Sequence, residues 1–385
     1  MCIRDSLKAF ILRKLNQFDQ CIEWIKASLS NDRFDYGSRF ELYTVYLVSN
    51  NQSSAETTLS ELVELMRNDS NSYIEISIDY ANAGAYGDAG AILSMIEADC
   101  SDPLTFYYLG CYQLQNGNNN KAQLYFQKGF ACSPDRVFPN RIEDVDILQK
   151  VVSINNNDYK AYYYLGNFCY AKKRYDEAKL FWESSIKINS GFSTAHRNLG
   201  IAYFNKFNLK KEALQEYETA FACDSSDARV LFELDQLYKR MGFSAASRLE
   251  KLKHNFKLVE TRDDLFTEYV LLCTLSGFYS EAMQLITNRI FHPWEGGEGK
   301  VSGLYIQLSI ELAKKALAEN NTKLAIDLLE KAQTYPENLG EGKLYGAQEN
   351  DIFYWLACCY EKLNDSSNAA KYLSLIHISE PTRPY

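Results

Sequence analysis

Apolar residues return at every third and fourth position through most of the chain, the spacing that lines one face of an α-helix. The segment YYYLGNFCYAKKRYDEAKLFWESSIKINS from Tyr162 can be set against HRNLGIAYFNKFNLKKEALQEYETAFACDS from His196. Leu165-Gly166 and Leu199-Gly200 stand 34 residues apart. Ala178 and Ala213 follow, then an aromatic four residues on (Trp182, Tyr217), then a small residue three further (Ser185, Ala220). An earlier copy places Phe106, Leu109-Gly110, Ala122, Phe126, Gly129 and Pro134 in the same order. Each unit reads as two antiparallel helices. Small residues let the two helices approach, aromatics fill the space between units, and no hairpin can bury its apolar face alone, so the units must stack.

The small residue of the second helix serves as a ruler. It falls at Cys21, Ala55, Ala89, Ala122, Ala178, Ala213, Ala246, Ala282, Ala325 and Ala369, in steps of 34, 34, 33, 56, 35, 33, 36, 43 and 44. The long step of 56 holds RVFPNRIEDVDILQKVVSINNN from Arg136 and predicts one extra helix after Pro139. The unit around Ala246 fits least well, because Asp235 stands where glycine is usual. The pattern resembles the tetratricopeptide repeat. The expected fold is all-α, an α-solenoid of about ten tetratricopeptide-like hairpins, with repeats over residues 7–135, the extra helix within 136–157, repeats over 158–252 and longer repeats over 253–372.

The two ends stand outside the pattern. Met1 to Asp5 and Leu373 to His377 can be encoded by one DNA segment read on its two strands, as in the transposase adapters used in preparing sequencing libraries. Residues 1–6 and 373–385 are therefore expected to be adapter-derived, and the natural protein to continue beyond them.

A formal net charge of −9 argues against nucleic-acid binding, which needs a basic stripe, and no apolar run is long enough to span a membrane. Of the ten cysteines, nine lie outside the expected adapter. They form no Cys-x-x-Cys pair, and several take small-residue positions, which points to buried thiols in a reducing, cytoplasmic setting rather than to disulfides or a metal site. His196 sits at a large-residue position and Trp182 and Trp355 at core positions, so packing is expected of all three. Asn350 or Asp351 is expected to cap the helix carrying Trp355.

The last two long steps carry their extra residues between hairpins, in HPWEGGEGKVSG (292–303) and YPENLGEGKLYG (335–346). Pro, Gly, Glu-Gly-Lys, an apolar residue and a final Gly match one for one at an offset of 43 residues. A phosphate-binding loop is excluded: it needs a glycine where Trp294 stands, Ser or Thr where Val301 and Leu344 follow the lysines, and a preceding strand. The loops read either as connectors or as a paired binding site, since equivalent insertions of adjacent repeats land side by side. The candidate binding residues are His292 and Trp294 as an exposed aromatic platform, Glu295, Glu298, Glu337 and Glu341 as acceptors, and Lys300 and Lys343 as donors. No catalytic residue, cofactor or metal is assigned; a glycosidase-like carboxylate pair is the less favoured reading, because carboxylates are common on solvated loops.

The combination of VFPNRIEDVDIL, HRNLGIAYFNK, ARVLFELDQLYKRMG and the two loop motifs resembles the carboxy-terminal repeat region of large bacterial proteins. Their amino-terminal part looks like the β-sandwich of galactose mutarotases and has no known function. That resemblance implies a missing amino-terminal domain and a carbohydrate context. Two functions follow as expectations: a non-catalytic scaffold that binds a partner protein or its own missing domain, or the accessory half of a carbohydrate-active enzyme in which the duplicated loops complete a sugar site.

Overall fold

The computed structural model describes residues 3–347 and 349–378; the remainder of the expected adapter ends lies outside the described residues. Among the described residues there are twenty-two α-helices, one 3₁₀ turn and no strand. The chain is an α-solenoid, as the repeat spacing predicts. It divides into two compact units between Ala202 and Tyr203, a point that coincides with none of the boundaries read from repeat spacing.

The first unit holds α1 (Ile3–Lys14), α2 (Phe18–Asn31), α3 (Tyr36–Val48), α4 (Gln52–Met66), α5 (Ser70–Asn82), α6 (Tyr86–Ser94), α7 (Pro103–Gln115), α8 (Asn119–Ala131), α9 (Ile142–Ile154), α10 (Tyr159–Ala171) and α11 (Tyr175–Ile188). Odd and even helices pair as hairpins up to α8. α9 lies in the 136–157 segment, where one extra helix was expected, and packs against α7 and α10; α10 and α11 form the next hairpin. α12 (Ser193–Asn205) carries the chain across the division. The second unit continues with α13 (Lys210–Cys223), α14 (Ala228–Arg240), α15 (Ala245–His254), the single turn α16 (Phe256–Val259), α17 (Asp263–Leu275), α18 (Tyr279–Asn288), α19 (Lys300–Ala318), α20 (Thr322–Ala332), α21 (Asn350–Lys362) and α22 (Ser366–Ile378).

Local chemistry sets these boundaries. The first helix of a hairpin repeatedly starts on an aspartate whose carboxylate accepts a backbone N–H of the opening turn: Asp35, Asp69, Asp102, Asp158 and Asp227. A left-handed residue then turns the chain into the second helix. It is Asn16, Asn50, Gly84, Gly117, Lys173, Asn208, Gly242, Gly277, Asn320 or Asn364, mostly the two residue types that reach this conformation at least cost. These ten corners are the ten hairpins of the sequence reading.

The Leu-Gly motif has a steric reason. A Cβ on Gly166 would lie 2.4 Å from the indole of Trp182, and one on Gly110 2.4 Å from the ring of Phe126. The ring four residues after the alanine therefore fills the space the glycine leaves open. Ala178 and Trp182 are buried as expected. His196 is buried too, with Nε2 3.0 Å from the Ser190 carbonyl, and Trp355 packs on the core of α20 and α21. Five of the nine cysteines are buried, Cys21 among them at its small-residue position, while Cys223 is exposed.

Two expectations fail. Ala246 is exposed, and α15 buries Arg248, Leu249 and Leu252 instead. α21 begins at Asn350, so neither Asn350 nor Asp351 is its cap; the cap position is Glu349, which makes no side-chain capping bond.

Candidate functional site

The two insertions lie between hairpins of the second unit, one joining α18 to α19 and the other α20 to α21. Although their sequences match, their backbones do not. In the first, Gly299 is left-handed (φ 74°) and Lys300 to Gly303 already belong to α19. In the second, a 3₁₀ turn over Glu337–Leu339 is closed by left-handed Gly340 (φ 70°), and α21 starts only at Asn350. The two copies share a place between hairpins but not a conformation, and the second loop folds onto the first.

Backbone and side-chain contacts lock them together. The Phe291 N–H donates to the Asn338 carbonyl at 2.8 Å. The Asn338 side-chain amide donates to the carbonyls of Ile286 (3.0 Å) and Arg289 (2.9 Å), which the end of α18 leaves open. Gly340 passes so close that a Cβ there would meet the Phe291 carbonyl oxygen at 2.3 Å, so both its φ and its approach require glycine. The Glu341 carboxylate accepts the N–H groups of Gly299 at 2.7 Å and Ser302 at 2.8 Å. It places a negative charge on the free donors at the start of α19, where the helix dipole favours it. Leu339 is buried in the core of the unit.

Between the loops lies a cavity of about 360 Å³, lined by residues of both, including His292, Pro293, Trp294, Glu295, Glu298, Leu339, Glu341 and Leu344. Five of the eight candidate residues are brought together there: His292, Trp294, Glu295, Glu298 and Glu341. Lys300, Glu337 and Lys343 are not in the lining. Lys343 instead reaches the buried carboxylate of Glu349, 2.8 Å away. His292 is exposed and lies 3.3 Å from Asp263, whose carboxylate also accepts the His292 backbone N–H at 2.9 Å and the Arg289 side chain at 2.7 Å. Burial pushes the Asp263 carboxyl up, but these donors outweigh it and leave it below the usual range. Trp294 is mostly buried: its ring lies over Gly297 and packs on the core, so it is not the open platform expected.

Asp263, Asn338 and Glu349 were not singled out from the sequence. Asp263 sits on α17, far from the loops along the chain, and no local pattern marks it. Asn338 has no counterpart in the first loop, where Glu295 stands at the matching offset.

Hairpins with single left-handed corners and a glycine under an aromatic ring define a helical-repeat solenoid of the tetratricopeptide type. No family model matches the chain. Among solved structures it is similar to MamA from Desulfovibrio magneticus, at 18% identity over 50% of this chain and 97% of that one, with a TM-score of 0.30. A tetratricopeptide protein of Thermus thermophilus matches at 16% identity over 53% of this chain and 99% of that one, TM-score 0.31. Yeast Tom70 matches at 12% identity over 97% of this chain and 98% of that one, TM-score 0.30. The fold class stands on the hairpins of the chain itself.

Proposed function

We propose that the chain is a non-catalytic scaffold that holds a partner protein or a further domain of its own, with the interlocked loops of the second unit as its contact point. The observation that carries this is the cavity walled by both loops. Three or four residues suffice for most turns between helices here, yet these two connections are several times longer, and they form a defined hollow rather than a disordered tether. The walls combine apolar surface with a few polar groups at the mouth, the usual make-up of a recognition site. Among the described residues no group of three or more metal-ligating side chains exists, and no helix is long and apolar enough to cross a membrane.

A sugar site in the same cavity is the second reading. Its support is Trp294, one of the lining residues, but Gly297 covers part of that indole, which leaves less ring for a sugar to stack on.

The test is selection of binders from a displayed library of random peptides, repeated with Leu344→Arg. Leu344 is 42% exposed at the cavity, so arginine there fills the mouth without entering the core. Peptides that bind the parent and not the variant, with both melting alike, support the site. Peptides that bind both equally place the interaction elsewhere on the solenoid.

A further inference from the structure

The charge of the cavity identifies what part of a partner it takes, given the interaction reading above. Glu295 and Glu298 are exposed at the lining, and neither has an ion-pair partner among the described residues. Two of the cations nearby are engaged, and a third lies outside the lining. Lys343 pairs with Glu349, Arg289 pairs with Asp263 at 2.6 Å, and Lys300 is absent from the lining. Glu341 spends both oxygens on the N–H groups that open α19. What remains is two uncompensated carboxylates above apolar walls that include Trp294 and Leu344.

We infer that this cavity receives a basic side chain, arginine or lysine, from a partner protein. Both side chains join a long apolar stem to a charged head, so the stem can lie along Leu344 and Trp294 while the head stays at the wet mouth. The head then meets two carboxylates that have no other partner. An acidic side chain, a phosphate or a carboxylate terminus meets like charge in the same place. The chain's net charge of −9 adds a weak long-range pull on a basic partner.

The experiment takes peptides enriched from the random library against the whole chain. Each is resynthesised with citrulline for arginine or acetyl-lysine for lysine, and titrated against the parent and against Glu295→Gln/Glu298→Gln. Both glutamates are solvent-exposed, so the double variant is expected to melt as the parent does. Loss of two partly exposed ion pairs is expected to weaken binding roughly tenfold, and the parent's affinity to fall as salt is raised. Enriched peptides that need their basic residue and lose affinity for the double variant establish the inference. Peptides that bind equally after neutralisation, or equally to the double variant, overturn it while leaving the scaffold in place. A selection that enriches no peptide overturns the interaction reading and this inference together.

Discussion

The hairpins α10–α11 and α14–α15 occupy the same place in the repeat and close their helix crossings by opposite means. In the first, Ala178 is fully buried and the indole of Trp182 fills the space that Gly166 leaves open. In the second, the glycine position is Asp235 and the alanine position is Arg248, both buried. Arg248 donates from Nε to Asp235 at 3.0 Å and from Nη2 at 2.5 Å, and from Nη2 to Glu268 on α17 at 2.7 Å. Lys239 reaches the same Glu268 oxygen at 3.0 Å. One crossing is held by contact, the other by charge. A crossing of small residues is stable alone; a buried ion pair is stable only while both members are present.

The largest expected effect follows from that asymmetry. Arg248→Met leaves Asp235 buried without its partner and is expected to cost about 3–5 kcal/mol. Adding Asp235→Leu removes the orphaned charge and fills its space, and stability is expected to return to within about 1 kcal/mol of the parent or above it. Denaturant midpoints of the two singles and the double make the cycle. A single variant as stable as the parent would mean that charge does not hold this crossing.

Gly166→Ala attacks the other crossing. Alanine is the better helix former by about 1 kcal/mol, but its methyl would enter the indole of Trp182. That ring is buried, and its Nε1 donates to Asn167 at 3.1 Å, so it has little room to yield. A net loss of about 1–3 kcal/mol is expected. A rise in the denaturation midpoint would show that the ring moves aside.

The pH dependence separates the two further. Burial raises the Glu268 carboxyl, but the hydrogen bonds from Arg248 and Lys239 outweigh it and leave it below its ordinary 4.5. A depressed acid stabilises the fold above its unfolded pKa, and that contribution is lost as pH falls through the folded value. Glu268→Gln is therefore expected to cost roughly 1 kcal/mol near neutrality and progressively less as pH drops below 4.5. The cost of Gly166→Ala, where no charge is present, is expected to stay constant over the same range. Parallel melts at several pH values check both.

The fold was legible because packing writes a period into the chain. The steric demand of a ring over a glycine recurs at Gly110 and Gly166, and the small-residue ruler finds buried positions in nine of its ten places. It fails at Ala246 because it looks for a small residue. Arg248 gives steps of 35 and 34 from Ala213 and to Ala282, closer to the repeat than the 33 and 36 of Ala246. The substitution of Asp235 for glycine was the visible half of a compensated pair. Its other half was hidden by the assumption that the opposing position stays small. The loops show the reverse. Their shared letters were legible, but whether Glu-Gly-Lys enters a helix or a 3₁₀ corner depends on what lies beside it, and Asp263 and Asn338 are contacts across sequence that no motif announces.

The smallest expected effect tests that last point. Gly303 and Gly346 close the two copies of the motif and stand 43 residues apart. Gly303 lies in the first turns of α19, at an ordinary helical φ, and a Cβ there would meet nothing within 4 Å. It therefore lacks the reason for glycine that Gly166 has, although both sit in helices. Gly303→Ala is expected to stabilise the second unit by about 0.5–1 kcal/mol, through the lower backbone entropy of alanine in the unfolded chain. Gly346 is equally uncrowded, but its φ of 78° is left-handed, so Gly346→Ala is expected to destabilise by about 1 kcal/mol. Opposite shifts in the melting of the two variants would show that equal letters carry unequal backbone demands. Shifts of one sign would mean that the two loops share a conformation, and that the docking of the second onto the first does not distinguish them.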